Sequence, residues 1–163
     1  MDLDILFRDR EKLINVLNNE SDIGCVLVSV SFLDRCLTLL LQDRFIKNSN
    51  TVKKVLHPEG LLGEYSSKVK LCYCLSLIDR TKYCDLIKVA EIRNIFAHSH
   101  LLLDFSNAKI QGECNKLISC ENSYLVDVTD NSSIVVRERF VHTVINIIND
   151  FMAHGYLKKI FNK

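Results

Sequence analysis

Proline and glycine are scarce in this chain, and their scarcity limits the folds that it can adopt. The 163 residues include one proline, Pro58, and five glycines. Sandwiches and barrels of β-strands need many tight turns, which are built largely from these two residue types. Long helices need few of them. The sequence therefore predicts an all-α fold, and its length predicts a single domain over residues 1–163.

Apolar residues recur with the period of a helix along most of the chain. The predicted helices cover approximately residues 5–17, 21–47, 66–78, 84–97, 107–119 and 135–153. Ser21 and Asp22 are suited to cap the second helix, and Ser66 or Ser67 to cap the third. The expected architecture is a bundle of about six helices.

The segments between these helices predict little regular structure. Residues 52–63 contain the proline and two of the glycines, and they predict a loop with a short helical piece at most. Residues 124–128 alternate apolar and polar side chains and could form a short strand or an irregular segment. Gly155 is expected to break or end the last helix.

Charge and cysteine content point to a class of protein. The chain has 21 basic and 20 acidic residues, so it has no overall field that would attract nucleic acid. The beginning of the sequence has no signal-peptide pattern, and no uninterrupted apolar run reaches the ~20 residues that span a bilayer. We therefore expect a cytoplasmic protein without membrane contact whose seven cysteines are reduced.

The cysteines and histidines do not have the spacing of a metal site. No pair of them matches a zinc-finger pattern, and neighbouring cysteines of one predicted helix point in different directions. We expect the cysteines to fill the core as small apolar side chains. The sequence predicts no metal and no cofactor.

Two charged residues fall on the apolar faces of predicted helices. Asp34 lies within the apolar arc of the second helix, and Arg93 lies near the middle of the arc of the helix over residues 84–97. A lone buried charge costs on the order of several kcal/mol, so we expect Asp34 and Arg93 to pair across a helix contact. The pair is either structural, or Arg93 lines a pocket or a dimer interface where it binds an anion.

The segment around Arg93 also carries a possible catalytic pair. A guanidinium group can hold a phosphate and an imidazole can transfer a proton, so Arg93 and His98 could together cleave RNA without a metal. The two side chains lie about 140° apart on an ideal helix. They converge only if the helix ends near Ala97 or if two chains contribute; otherwise His98 caps the C-terminus of its helix.

Longer stretches of the sequence resemble known families. Residues 93–98 read RNIFAH and resemble the R-polar-x-x-x-H signature of HEPN domains. Residues 31–34 read SFLD, residues 60–73 read GLLGEYSSKVKLCY and residues 92–99 read IRNIFAHS. In this order the three segments resemble the mannitol operon repressor family, and residues 104–106 and 114–117 are similar to downstream segments of that family, so the likeness covers roughly residues 21–117.

The resemblance to mannitol repressors implies an all-α protein, often a homodimer, that represses a sugar-alcohol operon. The sequence has no convincing helix-turn-helix, zinc finger or basic recognition helix. We therefore expect no direct sequence-specific DNA binding, and action through a protein partner or through RNA.

The resemblance to HEPN domains implies the alternative function, a metal-independent endoribonuclease or toxin. Carried over by position, Arg93 would bind phosphate, His98 would act as acid and base, and Asn94 would orient them. Tyr65, Ser66 and Lys68 are further candidates near the site, although Ser66 and Lys68 also fit a helix start and a solvated face. A third possibility is a small-molecule-binding domain with a pocket lined by Arg93 and Tyr65.

Overall fold

Seven helices make up the regular structure of the part of the chain that the computed structural model describes, residues 3–47, 49–99, 103–119 and 132–161. They are α1 (Leu3–Asn19), α2 (Asp22–Arg44), α3 (Asn50–Leu56), α4 (Tyr65–Cys74), α5 (Arg80–His98), α6 (Ala108–Cys114) and α7 (Ser133–Phe161). No strand occurs in these ranges. The all-α prediction is confirmed, and residues 124–128 lie outside the described ranges.

The first half of the chain differs from the prediction mainly at α4. Helix α3 is the short helical piece that the predicted loop allowed, and it begins where the Ser49 side chain accepts a hydrogen bond from the Val52 backbone N–H and caps the first turn. Helix α4 begins at Tyr65, with Glu64 at the N-cap, so the predicted caps at Ser66 and Ser67 are wrong. It ends at Cys74, shortly before Ser76 adopts a left-handed backbone with φ of 53°.

The second half shows similar differences. Helix α5 starts at Arg80, earlier than expected, because the Asp79 carboxylate accepts a hydrogen bond of 2.8 Å from the Lys82 backbone N–H. Helix α6 ends at Cys114 instead of continuing to residue 119. Helix α7 continues through Gly155, so the expected break there is wrong.

Helix α2 lies at the centre of the bundle. It packs against α1, α4, α5 and α7, and buried residues recur along it from Cys25 to Leu41. By length and composition α2 could also cross a bilayer, but the core helix of a soluble bundle passes the same test.

Arg137 of α7 binds to the connection between α1 and α2. Its guanidinium forms an ion pair with Asp22 and donates hydrogen bonds to the carbonyls of Leu17, at 2.9 Å, and Glu20, at 2.6 Å. Asp22 also accepts a hydrogen bond of 2.9 Å from the Phe105 backbone N–H. Distant segments of the chain therefore meet at the start of α2, which fixes this helix against its neighbours.

Candidate functional site

An open cavity of about 610 Å³ lies where α2, α4 and α5 come together. Leu27, Val30 and Ala90 form its apolar wall. Its polar lining comes from Ser31 and Asp34 of α2, Glu64 before α4, Tyr65 and Ser66 of α4, and Arg93 and Asn94 of α5. We call this space the Arg93 cavity. It brings together most of the candidate residues that the sequence singled out.

The loop before α4 forms one wall of the Arg93 cavity and is held tightly. The backbone N–H of Leu62 donates to the Val55 carbonyl at 2.8 Å, and the N–H of Gly63 donates to the Gly60 carbonyl at 3.0 Å. A Cβ atom on Gly63 would collide with the Pro58 carbonyl. Only glycine fits this approach, so the glycines of the segment 60–63 shape the cavity.

Asp34 forms an ion pair, but not with Arg93. Its Oδ2 accepts a hydrogen bond of 2.6 Å from the Lys68 ammonium group. The Lys68 side chain is 4% exposed and the Asp34 side chain is 34% exposed. The predicted pairing of Asp34 with Arg93 is therefore wrong, and so is the solvated position expected for Lys68. The physical reason is that α4 packs against both α2 and α5 and supplies the cation itself.

Arg93 keeps its donors available. It is half-buried, and within the described ranges it makes no hydrogen bond or ion pair with another side chain. A guanidinium group carries five N–H donors in a planar arrangement that matches a phosphate or a carboxylate. Arg93 is thus a charged group that lines a cavity without an anionic partner in the described structure.

Two further polar atoms at this cavity have no partner. The Tyr65 hydroxyl and the Asp34 Oδ1 are both buried, and neither makes a hydrogen bond to the described residues. Burial raises the pKa of Tyr65 strongly, and the Asp34 charge raises it further, so the hydroxyl stays protonated. Buried polar groups are hydrogen-bonded in most proteins, and each exception calls for an explanation.

His98 lies at a different place. It is exposed at the end of α5 and lines a second cavity of about 510 Å³ together with Ile95, Ser99 and Leu103. Asn94 borders both cavities, but Arg93 and His98 do not share one. Since α5 continues to His98, the helical spacing holds the two side chains apart, and one copy of the chain does not unite them.

Four of the six described cysteines are core residues, whereas Cys74 is exposed and Cys84 is partly buried, so the prediction that the cysteines fill the core holds only in part. Cys25, Cys36 and Cys72 are buried, and burial raises the pKa of their thiols to about 11, about 12 and about 12. The described cysteines form no disulfide with one another. Among the residues that the structure describes, no three histidine, cysteine, aspartate or glutamate side chains are grouped so that they could hold a metal ion.

We expect the exposed thiol of Cys74 and the three buried thiols to differ clearly in their rates of chemical modification. At pH 8 a thiol reagent should modify the exposed Cys74 quickly and the three buried thiols only after unfolding. Their folded pKa values lie above the ordinary thiol value of 9.0, so their contribution to stability is complete below pH 9 and is lost as the pH rises through 11 to 12. Thiol counting and urea unfolding at several pH values measure both effects.

The control for this prediction is Cys74→Ser. This variant should lose one equivalent of fast reaction and keep the alkaline loss of stability. Fast modification of Cys25, Cys36 or Cys72 in the folded protein would contradict the prediction.

Solved structures of other proteins share the fold of this chain. The structure is similar to MtlR in the X-ray structure of the MtlR–HPr complex from Escherichia coli, with a TM-score of 0.71 and 22% identity over 88% of this chain and 98% of that one. It is also similar to the possible transcriptional regulator YggD from Shigella flexneri 2a, with a TM-score of 0.75 and 14% identity over 87% and 97% of the two chains. At these identities the likeness shows the shared fold.

The family assignment comes from the sequence. A search of curated proteins finds no match. The model of the family described as mannitol repressor matches residues 9–158, which is nearly the whole chain. The chain therefore belongs to the mannitol repressor family.

Proposed function

We propose that this chain is a cytoplasmic transcriptional regulator that has no DNA-binding motif of its own and acts through a protein partner. The observation that carries the proposal is the family match over residues 9–158. The fold adds to it, because the similar MtlR of Escherichia coli was solved in a complex with HPr. The HPr protein of the same organism is thus the first partner to test.

The surface charge supports indirect action. Binding to DNA depends on cations that can neutralise phosphates. Many lysines of the described surface already have acidic neighbours, such as Lys82 with Asp79 and Asp150, and Lys88 with Glu91. With a formal net charge of +1, the chain offers DNA little attraction.

We also propose that the active form is a homodimer. Ile23, Leu27 and Val28 lie near one another on α2 and are exposed although they are large and apolar. Exposed apolar groups of this kind are often covered at an interface. A second copy that covers α2 would remove them from water.

Metal-independent RNA cleavage is less well supported. That reaction needs the Arg93 guanidinium and the His98 imidazole at one phosphate, whereas the two residues line separate cavities of the chain. Only the joining of two copies could bring them together. Regulation through a protein partner needs no such arrangement.

Deletion of the gene in its own organism tests the regulator. Expression of a reporter joined to the sugar-alcohol operon should rise on deletion and return when the wild-type gene is restored. The purified protein should retain HPr in a pull-down, should have the mass of a dimer in light scattering, and should not shift promoter DNA on its own.

The exposed face of α2 offers a variant for this experiment. Ile23→Glu, on the same exposed part of α2 but outside the Arg93 cavity, should fold normally and lose the dimer, whereas Ile134→Glu, at another exposed apolar position, should keep it. Unchanged reporter expression after deletion, together with no retained HPr, would overturn the proposed function.

A further inference from the structure

We propose that the Arg93 cavity binds a small hydroxylated anion, that is, a polyol that carries one phosphate or carboxylate group. The anionic group would bind Arg93, and the hydroxyl groups would bind the polar lining contributed by α2 and α4. This inference concerns a ligand of the chain itself and does not depend on the protein partner.

The anionic end of the ligand follows from the charges at the cavity. Asp34 is paired with Lys68, and Arg93 is the one lysine or arginine among the described residues that line the cavity. The apolar side chains of Leu27, Val30 and Ala90 line the same cavity, and apolar surroundings strengthen the attraction of a guanidinium group for an anion. Glu64 is exposed at the cavity and disfavours a second negative charge, so one anionic group fits best.

The hydroxylated part of the ligand follows from the two unpartnered atoms. The Asp34 Oδ1 can only accept a hydrogen bond, whereas the Tyr65 hydroxyl can donate and accept. A ligand hydroxyl can do both. Because the two atoms have almost no accessible surface, it would reach either of them after a rotation of the Tyr65 or Asp34 side chain, and both of these residues line the cavity. Ser31, Ser66 and Asn94 add further donors and acceptors to the lining. This mixture suits several hydroxyl groups better than an apolar ligand.

The size of the cavity agrees with a small ligand. Its volume of about 610 Å³ lies within the range of small-molecule sites. The tight loop that contains Gly63 forms part of the wall, so that part is shaped before a ligand arrives.

Calorimetric titration of the purified protein tests the site. The probes are inorganic phosphate, D-mannitol, which is the polyol of the family's description, and D-mannitol 1-phosphate. We expect the phosphate ester to bind most tightly, because only it reaches both parts of the cavity.

Arg93→Gln should weaken binding of the ester about tenfold to a hundredfold, which is the loss expected for a charged hydrogen bond. The same variant should leave the binding of D-mannitol nearly unchanged. Lys70→Gln, an exposed change on α4 outside the cavity, should have no effect.

Tyr65→Phe separates a binding role from a structural one. If the hydroxyl serves the ligand, the variant binds D-mannitol and its phosphate ester several-fold more weakly, while the ligand-free protein unfolds at the same or a higher urea concentration. A hydroxyl that stabilises the fold through Asp34 would instead lower that concentration when it is removed. Binding by none of the three probes, equal losses in Arg93→Gln and Lys70→Gln, or a Tyr65→Phe variant that is less stable with unchanged affinity would each overturn the proposal.

Discussion

Asp34→Asn is expected to lower the free energy of unfolding by about 3 kcal/mol, more than Lys68→Met at the other end of the same ion pair. The Lys68 side chain is 4% exposed, whereas the Asp34 side chain is 34% exposed. Loss of the carboxylate therefore leaves an ammonium group buried without its counter-charge. Loss of the ammonium leaves a carboxylate that water can still reach, and we expect about 1–2 kcal/mol.

Urea unfolding of the two single variants and the double variant measures this asymmetry. The double variant should be more stable than Asp34→Asn alone, since it has no lone buried charge. Lys47→Ala is the control, because Lys47 and Asp43 form an exposed pair whose loss should cost about 0.5 kcal/mol or less. Equal losses from the two single variants would show that burial does not control the energy of this pair.

Asp85→Ala is expected to cost about 3–4 kcal/mol, because the change leaves two backbone donors without their acceptor. Asp85 is completely buried in α5. Its Oδ1 accepts a hydrogen bond of 2.8 Å from the Ile118 backbone N–H, and its Oδ2 accepts one of 2.8 Å from the Ser119 N–H. The carboxylate thus holds the segment after α6 against α5.

The loss of stability in Asp85→Ala can also be assigned to a particular segment of the chain. Amide hydrogen exchange should lose protection at Ile118 and Ser119 in Asp85→Ala, even under conditions where the rest of the bundle stays protected. Asp85→Asn should be milder, because its amide oxygen still accepts one of the two hydrogen bonds. Glu138→Ala, an exposed change on α7, serves as the control. Wild-type stability in Asp85→Ala would contradict the role given to this carboxylate.

Composition and periodicity predicted the helical fold because both depend on residues close together in sequence. Helix α3 was expected only as a short helical piece without defined ends, since its seven residues offer too few turns to show a period. The end of α4 was placed too late for a different reason, because a left-handed residue such as Ser76 has no strong signature when it is not glycine. The end of α6 was also placed too late, but Asn115 at its C-cap has ordinary right-handed helical angles, so no left-handed residue marks that end.

The sequence predicted most residues of the candidate cavity but not the ion pair beside it. The prediction compared the apolar faces of α2 and α5, whereas the partner of Asp34 is Lys68 of a third helix, α4. The signal was present, because Lys68 lies with Tyr65, Val69 and Cys72 at helical spacing on the buried face of α4. A lysine in that pattern indicates a buried cation, and the same reasoning applies to Asp85 beside Leu86 and Val89. The separation of Arg93 and His98 needed only the helical period.

The central position of α2 has a consequence for synthesis of the protein on the ribosome. Helix α2 is made early, but its partners include α7, which begins at Ser133. Until that last helix has left the ribosome, part of an unusually apolar helix has no cover and can attract other chains or a chaperone. Messages truncated before α7 should therefore yield aggregates or degraded protein, so that a premature stop removes the regulator completely instead of leaving a partly active fragment.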